Sequence, residues 1–155
     1  MNILMPCDYY LPGFRAGGAL RSLSNVVERL GEEFRFKVIT RDHDLGGKKP
    51  YKDVSPENWQ PVGKAEVFYL SPGKFSMLRL RRLMWDTKHD VVYLNSFFSP
   101  HFTIKPLLLR RLGSLPKKPV ILAPRGEFSA GAIGLKRSKK HIYLFLSKLI
   151  GLYSG

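Results

Sequence analysis

Three segments hold the residues whose types and spacing could do chemistry. The first runs from Asp8 to Ser22 and carries Arg15, the pair Gly17-Gly18 and Arg21 just where an amphipathic run begins. Glycines at a helix start let the backbone approach a ligand closely, and the helix dipole with its free N–H groups favours a phosphate or carboxylate there. Arg15 and Arg21 could add charge-assisted hydrogen bonds. Gly13 and the diglycine are too far apart for a G-x-G-x-x-G fingerprint, and no P-loop lysine follows, so a dinucleotide site is poorly supported. The competing structural reading is that these glycines serve only a tight turn and helix packing.

The second segment, Leu94 to His101, offers Asn95, Ser96 and His101 as polar contacts for a sugar or acceptor hydroxyl. Phe97 and Phe98 read as core rather than as a stacking platform. His101, without other ligands at metal spacing, reads as a hydrogen-bonding residue at the start of a helix. The third segment is Ala123 to Ile133, in which Arg125 and Glu127 flank Gly126. Glu127 beside Arg125 reads as an ion pair first and as a polar hand for substrate second.

These segments need a frame that gathers them. Near-continuous apolar runs such as Val91-Val92-Tyr93-Leu94 and Val120-Ile121-Leu122-Ala123 indicate strands buried on both faces, as in a parallel sheet. Strands are expected at Asn2–Cys7, Arg35–Arg41, Ala65–Ser71, Asp90–Asn95 and Pro119–Pro124. Helices are expected at Ala19–Glu33, Ser76–Lys88, Phe102–Leu112 and Lys139–Leu152, the last with Ile142, Leu146, Leu149 and Ile150 as its packing stripe. The alternation implies an α/β, Rossmann-like, doubly wound parallel sheet of about five or six strands with helices on both faces. Two stretches break the rhythm. Asp42 to Gly63 reads as a long polar loop that could line the cleft, and Gly126 to Gly134 reads as irregular.

A chain of 155 residues with 44% hydrophobic content suits one domain. No apolar run is long enough to span a bilayer, and the opening residues read as a first strand rather than a signal peptide. The single Cys7 fits a buried structural thiol in a reducing compartment. The charge is uneven: of a net +14, eleven Lys/Arg against Glu127 alone lie between Val91 and Gly155. Such a field suits anionic partners, whether membrane headgroups, nucleic acid or phosphorylated substrates. Nucleic acid is the weaker candidate, because no recognisable RNA- or DNA-binding motif appears. A receiver-like small-molecule domain is weaker too, because Asp8 stands without the paired acids that magnesium would need.

The Gly17-Gly18 loop, the Val38-Ile39-Thr40-Arg41-Asp42 run and Ala123-Pro124-Arg125-Gly126-Glu127-Phe128-Ser129, followed by a lysine-rich helix, together span nearly the whole chain. In this order the chain resembles the N-terminal domain of GT-B-fold retaining glycosyltransferases of family 4. The resemblance implies that residues 1–155 form the acceptor-side half of a two-domain enzyme, whose C-terminal donor-binding domain is absent from this sequence. It implies transfer of a hexose from a nucleoside-diphosphate sugar to a glycan or lipid-linked acceptor with retention, without a metal or other cofactor. Gly17, Gly18 and Arg21 become donor-phosphate candidates. Arg15, Asn95, Ser96, His101 and Gly126 become acceptor candidates, and Arg125 and Glu127 the catalytic ones. Arg125 stands where many relatives carry the histidine of a His-Gly pair. The expected location is cytoplasmic, with a peripheral place at the inner face of a membrane. The alternative reading is a basic nucleic-acid-binding or non-catalytic small-molecule-binding α/β domain.

Overall fold

In the computed structural model, which describes residues 1–129 and 137–153, the chain builds one six-stranded sheet in the order β3-β4-β2-β1-β5-β6. The strands are β1 (Asn2–Pro6), β2 (Arg35–Arg41), β3 (Trp59–Val62), β4 (Ala65–Leu70), β5 (Val91–Leu94) and β6 (Val120–Leu122). The helices are α1 (Gly18–Leu30), α2 (Met77–Asp86), α3 (Lys105–Arg111) and α4 (Arg137–Leu149), with a π-helical turn over Pro100–Ile104 ahead of α3. All pairings are parallel except β3 with β4. The expected α/β fold is therefore present.

Strand side chains alternate between two cores, as a sheet covered on both faces requires. Leu4, Ile39, Phe68, Leu70, Val92 and Leu94 point to the side of α2 and α3. Met5, Phe36, Val38, Val67 and Tyr69 point to the side of α1, where Leu23 and Val27 meet them. The chain moves from β1 to β2 in one direction along the sheet and later from β4 to β5 and β6 in the other. Right-handed crossovers then put α1 on one face and α2 and α3 on the opposite one. The loops after the adjacent strands β1 and β5 consequently part, which opens a crevice at the carboxyl ends of the strands. No helix among the described residues is long and apolar enough to cross a membrane.

The structure corrects the sequence reading in two places. The expected loop Asp42–Gly63 contains β3, an edge strand that pairs Trp59 with Phe68 and Val62 with Ala65. A two-residue turn at Gly63-Lys64, with Gly63 at φ 56°, closes the hairpin. Pro61 is tolerated because an edge strand can leave one N–H position unpaired. The stripe assigned to the last helix also does not pack. Ile142 and Leu149 are 60% and 72% exposed. Instead Ser147 is buried and Tyr143 packs against the core on the side of α2 and α3. The side chain of Leu146 lies outside the described residues. Of the expected irregular stretch, Gly126 to Ser129 forms turns, and the rest lies outside the described residues.

Candidate functional site

The ends of β1, β5 and β6 converge on a cleft of about 200 Å3 lined by Asp8, Tyr9, Asn95, Ser96, Arg125 and Glu127, with Ala16 and Ala19 on the α1 side. Residues separated by more than a hundred positions meet there because the parallel strands all end at one rim.

Arg125 organises this cleft. One terminal nitrogen donates to the Ser22 hydroxyl on α1. The other donates to the Tyr93 hydroxyl at 2.9 Å and to Asn95 Oδ1 at 3.0 Å on β5. Its Nε is buried with no acceptor among the described residues. The backbone at Arg125 has φ 52°, followed by Gly126 at 80°. A left-handed arginine is uncommon, and a conformation of this kind persists when side-chain contacts fix it. The expected ion pair with Glu127 is absent. Glu127 instead accepts from the Ser96 hydroxyl at 2.7 Å and from the Phe97 amide, so both carboxylate oxygens tie the β5 loop to the β6 loop. The guanidinium of Arg125 accordingly has no carboxylate partner among the described residues.

The diglycine opens α1 between two residues of the cleft, Ala16 and Ala19, while Gly18 itself lines a shallow groove with Arg21 and Ser22 on the outer side of the helix. Gly17 caps the helix at φ 63°, and no side chain caps the first turn, which also lacks an acidic residue. The N–H groups of the first turn therefore lack intrahelical acceptors. A Cβ built on Gly17 or Gly18 meets no atom within 4 Å, whereas one on Gly13 would collide with the Tyr51 hydroxyl. Gly13 is thus required by packing and Gly17 by its backbone angle. Among the described residues nothing requires glycine at position 18, so the packing explanation of the pair fails there.

Three candidates lie apart from the cleft. Arg21 is exposed on the outer side of α1, in a shallow groove with Asn25 and Arg29. Arg15 belongs to a neighbouring basin of about 540 Å3 with Asp44, Lys48 and Tyr51, and the Asp42–Asn58 loop lines that basin rather than the cleft. Asp44 holds the two loops together, accepting from the amides of Phe14 at 2.9 Å and Arg15 at 3.1 Å. Its burial raises the carboxyl pKa, but these N–H donors, that of Leu45 and the charge of Arg15 outweigh burial, so the net direction is down.

His101 is on the π-helical turn, its Nδ1 2.9 Å from Lys105 Nζ and its ring against Phe75. Burial, then the charges of Lys105 and Arg41, lower its pKa, while Asp8 opposes them. Phe97 and Phe98 are half-buried and join an aromatic cluster with Phe128, Tyr143 and Tyr153, outside the two buried cores of the sheet. Cys7 is buried, and burial pushes its thiol up to about 12, against a hydrogen bond with Thr40. Such a thiol stays protonated and structural.

Sequence reasoning missed Ser22, Tyr93 and Asp8 as parts of the site. Ser22 is one turn beyond Gly18, a spacing that puts both on one side of a helix. Tyr93 points to the α1 face between its inward-facing neighbours Val92 and Leu94, so strand alternation held the signal. Asp8 lies two residues past the end of β1 and pairs with Arg41 at 2.9 Å.

Set against known proteins, the chain matches no family model and no curated sequence.

Proposed function

We propose that this chain is the acceptor-side domain of a glycosyltransferase that moves a hexose from a nucleoside-diphosphate sugar to a glycan or lipid-linked acceptor with retained configuration. The observation that carries the reading is the open diglycine start of α1, flanked by the cleft residues Ala16 and Ala19, on a helix whose Ser22 is tied to an arginine of the switch-point cleft that has no carboxylate partner among the described residues. A diphosphate placed there would be met by free N–H groups, the positive end of the helix dipole and a fixed guanidinium. Arg125 is the side chain assigned to charge stabilisation as the sugar–phosphate bond breaks. Glu127 has both oxygens engaged and acts as a positioning residue that holds Ser96 and the β5 loop toward the acceptor. A second αβ domain closing over this rim would supply the remaining donor contacts and exclude water.

Gly18→Val separates ligand binding from folding, because its side chain enters empty space at an ordinary φ. Calorimetric titration of the wild-type chain with nucleoside diphosphates and with the matching nucleosides should give binding that depends on the diphosphate. The variant should keep its urea midpoint but bind about tenfold or more weakly, a loss of at least roughly 1.4 kcal/mol. Equal affinities for the two proteins, or for diphosphate and nucleoside, would overturn the assignment.

A further inference from the structure

The outer face of α2 is unusual for a solvent-facing helix surface. Its inward residues Leu80 and Met84 are buried. Leu78, Arg81, Arg82 and Trp85 follow at i, i+3, i+4 and i+7 and therefore share the opposite face. On that face Leu78 is 65% and Trp85 56% exposed, and both arginines are exposed. The patch continues onto a second element. Arg81 Nε donates to the Ser114 carbonyl at 3.3 Å, which brings the turn after α3 alongside α2. That turn starts at Leu112, which is 71% exposed and follows the exposed Arg111. The Arg81 guanidinium lies 5.8 Å from the Trp85 ring.

Large apolar side chains standing among arginines, on two adjoining elements, are matched by one kind of surface. Leucines gain nothing from stacking on nucleobases, but they enter the boundary between headgroups and acyl chains. Trp is favoured at that depth, and arginines beside it meet anionic headgroups. Asp86, at the end of α2, is the acid nearest in sequence to this face and forms no ion pair with Arg82. The patch therefore keeps a positive balance.

We propose that the outer face of α2 and the turn after α3 form a docking surface for a bilayer rich in anionic lipid, with Leu78, Trp85 and Leu112 as the inserted residues and Arg81, Arg82 and Arg111 as the headgroup contacts. This goes beyond the transferase reading and does not rest on it, since a bilayer contact of this kind is a property of the domain's surface. The patch is on the face of the sheet opposite α1.

The test is sedimentation of the chain with phosphatidylcholine vesicles and with vesicles that also contain phosphatidylglycerol. It is paired with Trp85 fluorescence in a Trp59→Phe background, and circular dichroism checks the fold of every variant. The expected result is binding to the anionic vesicles, a blue shift of Trp85 emission, and affinity lowered by about tenfold or more in Leu78→Ser/Trp85→Ser. Arg81→Glu/Arg82→Glu should lose binding as well, whereas Phe145→Ser/Leu149→Ser on the exposed side of α4 should retain it. Unchanged binding by a folded Leu78→Ser/Trp85→Ser variant, or an unshifted Trp85 spectrum on bound vesicles, would overturn the proposal. So would loss confined to the α4 variant. Indifference to vesicles with RNA binding at physiological salt that needs Arg81 and Arg82 would make the face a nucleic-acid surface instead, and would equally overturn it.

Discussion

Arg125 shows how one side chain can hold a cleft together. Its guanidinium reaches α1 through Ser22 and β5 through Tyr93 and Asn95, while its own backbone sits at φ 52°. Two variants separate these effects. Arg125→Gly relieves the backbone and removes the hydrogen bonds, whereas Arg125→Ala removes the bonds and keeps the unfavourable φ. Urea unfolding should show Arg125→Ala less stable by about 2 kcal/mol, the scale of hydrogen bonds to a charged group. Arg125→Gly should recover only part of that loss. A fully stable Arg125→Gly protein would mean that the bonds do not hold the cleft. None of these partners could be read from the sequence, because Ser22 and Tyr93 are 103 and 32 residues from Arg125. Proximity in the chain pointed to Glu127, and the fold sends that carboxylate to Ser96 and Phe97 instead.

At the scale of elements, the legible parts were those that bury apolar runs. Arg35–Arg41 was readable as a strand to both its ends, because Phe36, Val38 and Ile39 are all buried. The β3 strand was hidden by Pro61 and a polar approach, and what stabilises it is tertiary. Trp59 packs edge-on against Phe68 with ring centroids 5.4 Å apart, and Lys37 Nζ lies 5.1 Å from the Trp59 ring. The packing stripe of α4 was misread because helical spacing gives the period of a face and not its direction. The π-helical turn before α3 carries its own prediction. Burial, then the charges of Lys105 and Arg41, lower the pKa of His101, with Asp8 opposing them. A pKa depressed below the ordinary 6.5 means that the unfolded chain takes up this proton more readily than the folded one. The contribution is present above 6.5 and is lost as pH falls through the folded-state value. His101→Gln, measured by urea midpoint across this range, should flatten that part of the pH dependence. An unchanged slope would contradict the account.

Across the whole molecule, the sheet order explains why the candidate residues divided as they did. Residues that end β1, β5 and β6 meet because β1 and β5 are neighbours at the point where the chain reverses its direction along the sheet. Asn95, Ser96, Arg125 and Glu127 gather there, and Ala16 and Ala19, on either side of the diglycine, line the same cleft. Arg15, Arg21 and His101 lie apart because each belongs to a flank of its loop or helix, a distinction that depends on where the chain turns. The positive charge was visible from composition alone. Its arrangement with Leu78, Trp85 and Leu112 emerged only when α2 and the turn after α3 came together.

The central claim is that the first turn of α1 and the β6 loop receive an anionic sugar-nucleotide at one shared cleft. Amide and arginine side-chain NMR shifts during titration with a nucleoside diphosphate test it most directly. The account predicts saturable shifts at the amides of Gly17, Gly18, Ala19 and Gly126 and at the Arg125 Nε–H, with the same midpoint throughout and with little change at Arg21. Shifts confined to the exposed lysines and arginines, or reproduced equally by inorganic sulfate at equal concentration, would contradict it.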